Sequence, residues 1–391
     1  MDKSGTRLLF TSACMGLLLF GVTLTTLGSI LPAIINRFEI TMTEAGFLFT
    51  LMNLGILAAS LVFGPVVDRF GYKTLMFAST LLILAGLQGV AFSSLYSWFS
   101  VFIFLFGFGG GLMNGAANAL VSDISDGDRS SKLSLLGVFF GIGAFGVPLS
   151  LGFLLEYFSY TIILASIGIF VLTVALFFLT ISFPEPKQPH SFPVKKAASL
   201  VKHPILLLLA FILFFQSGME ITAGGWTAAY FNDVLNVKPS TSILLLSFFW
   251  IGMMLSRLAI SKLVLHFTPA LIIKSSMALA LAASLILLNT GSILLATISV
   301  FLLGAGFAAI FPLILGYIGD LYPAITGTAF SFAFTIALTG GMLLPYLAGI
   351  LGDTFSLRIS FLIIPAALLA TYFLFLGVLQ VFAKYHPQMK P

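Results

Sequence analysis

Apolar residues run along this chain in stretches of about twenty to thirty, the length a membrane-crossing helix needs, broken by short polar turns. These alternations predict twelve helices, at roughly 8–35, 44–67, 74–93, 97–123, 131–157, 161–182, 204–232, 240–266, 270–290, 292–319, 326–351 and 357–383. Each is long enough to cross a hydrocarbon core of ~30 Å at a rise of about 1.5 Å per residue. Most connections are very short, so sequential helices are expected to be antiparallel neighbours. The exception, 183–203, holds Pro184, Pro186, Pro189 and Pro193 together with Lys187, Lys195, Lys196 and Lys202. A proline-rich, basic segment cannot be a span and reads as a linker. The predicted fold class is an all-α membrane protein of twelve transmembrane helices in two pseudo-symmetric six-helix bundles, residues 1–182 and 204–391, joined by a cytoplasmic linker over 183–203.

The two halves repeat. At an offset of 197, Gly107, Gly109, Asp123, Gly143, Pro148 and Gly152 meet Gly304, Gly306, Asp320, Gly340, Pro345 and Gly349. A second shift, of 188, brings Gly64 and Arg69 onto Gly252 and Arg257.

Composition makes lipid the solvent. The chain is 59% hydrophobic and only 8% charged, against about 25% charged in a soluble domain. No soluble core hides so much apolar surface. The net charge of +5 does not point to nucleic acid, because the basic residues fall mainly in short loops and report membrane orientation. With both termini inside, Lys3, Arg7, Arg69, Lys73, Arg129, Lys132, the linker lysines, Lys262, Lys274, Lys384 and Lys390 are cytoplasmic. Arg37, Lys238 and Arg358 fall outside, and Arg257 lies within a span. This asymmetry supports twelve spans. A bacterial inner membrane is the expected location and a monomer the expected state. Cys14 is the sole cysteine, so no disulfide framework or thiolate metal site is expected. His190, His203, His266 and His386 are isolated, which argues against a metal cluster. No phosphate-cradling loop of the Gly-x-x-x-x-Gly-Lys-Ser/Thr kind is present, and no Gly-x-Ser-x-Gly turn, so neither ATP-driven transport nor hydrolase chemistry is expected, and no cofactor. The first apolar run, reaching about Ile35, is too long for the core of a cleavable signal.

Few polar groups lie inside the spans. Glu220 is the acid farthest from any predicted helix end. Gln216 shares its face four residues earlier, and Gly224, Gly225 and Trp226 follow. An intramembrane carboxyl is a functional-site hypothesis by default, suited to gaining and losing a proton or binding a cation. The bland reading is an ion pair with Arg257. Counting residues from the helix ends sets the two on the order of 20 Å apart in depth, which argues against it. Asn114 and Asn118 share a face of the fourth span, and Asn53 lies in the second; each either bonds a neighbouring helix or grips substrate hydroxyls. Trp226 offers a face for a sugar ring or serves as an anchor at the membrane surface. The Gly-Gly pair at 224–225 can break its helix and expose backbone groups. Glycines 107, 109, 110, 111 and 115 let helices approach closely, and Pro148, Pro312 and Pro345 let helices bend. Asp68, Arg69, Asp123, Arg257 and Asp320 stand at cytoplasmic helix ends. Pairs of Arg69 with Asp123 and of Arg257 with Asp320 are expected to latch an inner gate, or else to be permanent surface bridges.

Three stretches carry a resemblance. The turn GPVVDRFGYK at 64–73 resembles the loop between the second and third spans of the major facilitator superfamily. FFGIGAFGVP at 139–148 and GMEITAGGWTAAYF at 218–231, with the glycine-rich fourth span through AAN at 116–118, resemble its fucose permease-like branch. The resemblance covers nearly the whole chain at the level of twelve spans. It implies a central cavity lined by spans one, four, seven and ten, and carries over Asn118, Gln216, Glu220 and Trp226 as site residues. It also implies cation-coupled sugar symport. Where several members hold a carboxylate in span four, this chain has Asn114. Where many have Asn and His before FFGIGA, it has Ser134 and Gly137. Its first span offers Thr23, Thr25 and Thr26 but no acid.

The sequence therefore reads as a secondary transporter, not an enzyme, moving a small polar solute, a sugar or sugar derivative, by alternating access. Glu220 is the carrier of a proton or a sodium ion, and Asn53, Asn114, Asn118, Gln216 and Trp226 are the substrate-binding candidates. Proton-driven efflux of an amphipathic drug or metabolite is the alternative that the many phenylalanines suit. A receptor or scaffold without flux is a third, disfavoured because short loops leave little surface for a partner.

Overall fold

The structure, a computed structural model, describes residues 3–125, 129–185, 203–322 and 326–385. Most of the predicted linker lies outside them. Thirteen helices are seen there: α1 Lys3–Phe38, α2 Met42–Phe92, α3 Tyr96–Asp123, α4 Arg129–Leu154, α5 Tyr160–Thr180, α6 Pro204–Asp233, α7 Pro239–Leu263, α8 Pro269–Asn289, α9 Ile293–Phe307, α10 Ile310–Leu321, α11 Thr326–Thr354, α12 Leu357–Ser360 and α13 Ile363–Tyr385. Eleven stretches of helix are long and apolar enough to cross a membrane, one fewer than predicted. The difference lies in α2, whose 51 residues extend to ~76 Å at the α-helical rise. The expected turn at 64–73 is wound into it, and the helix direction breaks at Gly71, with φ 79° and ψ 167°. Only glycine adopts that region without strain, so the second glycine of the motif makes the kink.

Two compact units arise. The first comprises Met1–Ile40, Leu51–Ser191 and Pro239–Ser247; the second comprises Thr41–Thr50, Phe192–Lys238 and Phe248–Pro391. Within the first, α1 packs on α3 and α4. A Cβ on Gly143 would lie 2.1 Å from the Leu18 carbonyl oxygen, and one on Gly21 would lie 2.3 Å from that of Phe140. Without hydrophobic attraction between helices in lipid, such backbone approach is what dispersion and packing require. Thr23, Thr25, Thr26 and Ser29 turn their hydroxyls back onto carbonyls four residues earlier, satisfying them inside α1. Arg37 closes the far end, donating to Ser93 O (2.7 Å) and to the Tyr160 hydroxyl.

Within the second unit α6 packs on α11, and a Cβ on Gly340 would lie 1.9 Å from the Phe214 carbonyl. The first turns of α2 belong to this unit. Thr41 and Glu44 form a reciprocal cap: Glu44 Oε2 accepts from Thr41 N–H (2.8 Å), and Glu44 N–H donates to Thr41 Oγ1 (3.1 Å). Asp353, at the end of α11, accepts from the N–H groups of Met42 (2.8 Å) and Thr43 (2.7 Å) and from the Thr43 hydroxyl. Four orphan backbone donors at this helix start are thus satisfied.

Both units repeat one glycine frame. Gly55 faces Phe104 O as Gly252 faces Phe301 O; Gly107 faces Met52 O as Gly304 faces Phe249 O; Gly109 faces Ile83 as Gly306 faces Ala280. Every pair of glycines differs by 197. This corrects the second shift read from sequence: in the observed frame Arg69 corresponds to His266 and Arg257 to Ser60, so the two arginines are not equivalent. The frame does hold Asp123 with Asp320, and adds Glu156 with Asp353.

Candidate functional site

In the second unit the site is built on α6, which Pro204 opens at its first turn. The Gly-Gly pair does not break this helix, which runs unbroken through 224–225. The glycines instead make room for rings. A Cβ on Gly224 would come within 2.8 Å of the Trp250 indole, and one on Gly225 within 2.5 Å of the Phe49 ring. Trp226 is fully buried, its ring beside Phe49 and its indole N–H donating to Pro345 O at 3.1 Å. In this conformation its ring is a packing element with no open face for a sugar.

Gln216 is also fully buried. Its Nε2 donates to the Phe307 carbonyl oxygen (3.1 Å) and to Oε2 of Glu220 (3.5 Å). Glu220 itself is half-buried as a residue, less covered than Gln216 on the same face of α6. The charge of Arg257 acts on that carboxyl. Counting residues along the helices does not anticipate this influence. Counting along helix axes leaves out the reach of an arginine side chain, which carries its charge several ångströms from its own helix. The Phe307 carbonyl can accept because α9 ends there and α10 begins at Ile310. Pro312 explains the interruption: it has no N–H to give Ala308 O, and its ring crowds that carbonyl. Pro148 and Pro345, by contrast, sit inside continuous helices.

In the first unit α3 carries Asn114 and Asn118. The Asn118 amide donates to both the backbone and side-chain oxygens of Asn114, each at 2.9 Å, and both residues are half-buried. The pair is thus preorganised, with the Asn114 amide left to donate. The glycines around it all face neighbours: Gly110 meets Thr23, Gly111 meets Ile56 and Gly115 meets the Phe63 ring. Close packing accounts for each of them. Asn53 is fully buried in α2.

At the end of α3, Asp123 accepts from the Tyr72 hydroxyl at 2.7 Å. The Arg69 guanidinium lies over the Phe70 ring, 5.2 Å from its centroid. Asp68, Tyr72, Asp123 and Glu185 line a cavity of about 220 Å³ beside Gly64 and Gly71. Asp320 stands at the end of α10. A larger cavity of about 530 Å³, between α1, α4 and α5, is lined by apolar residues and two serines. Among the described residues no group of three or more His, Cys, Asp or Glu stands close enough to hold a metal ion. Sequence reasoning missed Asp353 because a cap supplied from about three hundred residues away leaves no local pattern.

Comparison with known proteins shows the family of the chain. Residues 13–336 match the family model described as Major Facilitator Superfamily. A protein named uncharacterized transporter y4wD, from Sinorhizobium fredii, is 24% identical over 360 residues, covering 91% of this chain and 94% of its own. Two crystal structures share the fold. That of the nucleoside transporter NupG, in a mutant form, has a TM-score of 0.80 at 16% identity, covering 95% of this chain and 99% of its own. That of a D-xylose–proton symporter has a TM-score of 0.80 at 15% identity, covering 95% of this chain and 97% of its own. A family match across most of the length, on a chain of many apolar helices, is decisive: this chain belongs to the major facilitator superfamily and is an integral, multi-pass membrane transporter rather than an enzyme.

Proposed function

We propose that this chain moves a sugar or sugar derivative by alternating access, coupled to a proton or a sodium ion through Glu220. The observation that carries the reading is the place of that carboxyl. It stands mid-helix in a span of lipid length, half-buried, bonded by Gln216 and acted on by Arg257. Such a group in a membrane is costly unless its charge is used. The Asn114–Asn118 pair supplies preorganised donors and acceptors for hydroxyls. Asn53, Gln216 and Trp226 serve as support in this conformation, all three fully buried. The D-xylose–proton symporter, similar in fold, makes a monosaccharide and a proton the natural first probes.

The same reading takes α2 as two spans meeting at Gly71, which gives twelve, in bundles over 1–182 and 204–391 joined by a cytoplasmic linker. It places the protein as a monomer in a bacterial inner membrane with both termini inside. Asp68, Arg69, Asp123, Arg257 and Asp320 serve the inner gate. The Tyr72–Asp123 bond supports a fixed anchor there, and Arg257 divides its role between gate and coupling acid.

The test is uptake into proteoliposomes of radiolabelled monosaccharides under an imposed proton or sodium gradient. Glu220→Gln is expected to abolish accumulation against a gradient and to spare exchange at equal concentrations. A mutant that still concentrates solute overturns the coupling role. Sugar-induced, saturable proton uptake separates symport from efflux of an amphipathic compound.

A further inference from the structure

We propose that Gln216 is a positioning residue that ties the charge state of Glu220 to the break between α9 and α10. The inference rests on the reading of Glu220 as a coupling group. It concerns what that group moves, and it reassigns Gln216 from substrate binding to conformational linkage.

Three observations carry it. First, a single amide nitrogen serves two acceptors. Gln216 Nε2 lies 3.1 Å from the Phe307 carbonyl oxygen and 3.5 Å from Glu220 Oε2. Second, the other end of the same amide, Oε1, is buried with no partner among the described residues. Third, the bonded carbonyl is the last of α9, at the interruption that Pro312 imposes. The corresponding stretch of the first unit has no such interruption. There α3 runs continuously through Gly110, Gly111 and Gly115, the counterparts of Phe307, Ala308 and Pro312. Among the described residues the device therefore exists in one half only.

The chemistry follows from the inventory of donors and acceptors. An ionised Glu220 only accepts, so it holds the Gln216 amide with its N–H₂ toward both carboxylate and Phe307. A protonated Glu220 has an O–H to donate, and the unpartnered Oε1 is the acceptor that suits it. Meeting it turns the amide over and takes the N–H₂ away from Phe307. The carbonyl at the break then loses its cap, and α9 and α10 are free to change their mutual angle. Cargo-linked protonation would thus reach a hinge through one side chain. A sodium ion bound by the carboxylate would draw Oε1 in the same sense.

Among the described side chains, the charged groups on the elements packed against α6 are Asp320 on α10, Asp353 on α11 and Arg358 on α12; α9 has none. The charge that acts on Glu220 is that of Arg257, from α7.

Hydrogen–deuterium exchange of the full-length protein in lipid nanodiscs tests this without any substrate. Peptides covering 304–314 are followed across a pH series and corrected for intrinsic exchange. Wild type is expected to lose protection at 308–311 as pH falls. Glu220→Gln is expected to be poorly protected at every pH. Gln216→Met, of similar volume but with no amide, is expected to lose the pH dependence while other helices keep theirs. A pH response that survives in Gln216→Met, or a flat response in wild type, overturns the linkage. Should Gln216→Met not yield monodisperse protein, Pro312→Ala takes its place. It restores the missing N–H, and a persisting pH response there overturns the proposal too. Failure of Glu220→Gln to uncouple accumulation, with the exchange pattern as expected, would refute the coupling role alone.

Discussion

Trp226 shows how little a polar tip says about its use. Its ring fills a fully buried space, and its N–H is spent on Pro345. Trp226→Phe keeps most of the volume and removes one hydrogen bond. It is expected to lower stability by about 1 kcal/mol and leave affinity for the proposed sugar substrate unchanged. Thermal unfolding and isothermal titration of the same preparation check both halves of that statement. The glycines divide just as sharply. A Cβ at Gly304 would sit 2.0 Å from the Phe249 carbonyl oxygen, where backbone must move, whereas Gly64 and Gly316 open onto free space. Gly304→Ala is therefore expected to cost at least ~1–3 kcal/mol through overpacking, and Gly316→Ala to be near neutral, in the same thermal assay. Glu220 and the span-four asparagines were legible beforehand because a polar group inside a long apolar run stands out by type alone. The burial of Trp226 and Gln216 was not, since a helix sequence does not say which neighbour covers each face.

At the scale of elements, helix ends and helix breaks matter more than helix interiors. The start of α2 is capped twice, locally by Thr41 with Glu44 and remotely by Asp353. The local cap follows a Thr-x-x-Glu spacing readable in any sequence; the remote one does not. Asp353→Ala removes a side chain that satisfies two backbone donors, so a loss of about 1–2 kcal/mol is expected, measured as a lowered unfolding midpoint, with Asp353→Asn intermediate. Breaks divide the same way. Gly224–Gly225 looked like an interruption and is continuous helix, because neighbouring rings fill the space the absent Cβ atoms leave. Pro312 does interrupt, because a missing N–H and a ring clash cannot be repaired by packing alone.

For the whole molecule, the number of bilayer crossings turns on α2. Among the described residues eleven apolar stretches of helix are seen, and the 51-residue α2, bent at Gly71, is too long for one crossing. If it crosses twice, single cysteines at Glu39 and Lys73 must react with a membrane-impermeant maleimide from opposite sides. The native Cys14 is buried and should give little background. Labelling of both from one side would reduce the count to eleven.

Composition and periodicity by themselves determined that this chain is helical, lives in lipid, carries an internal repeat and places a carboxyl where carboxyls are costly. Those properties depend on residue type and spacing, which the sequence states directly. The tertiary structure alone decided the register of the repeat, correcting the match of Arg69 with Arg257. It set the Arg257 charge where it acts on Glu220, which counting residues along the helices does not anticipate. It also set Asp353 on a helix start and Gln216 on a distant carbonyl. Each of these depends on which helix faces meet, and side-chain reach and backbone approach settle that only once the chain has packed.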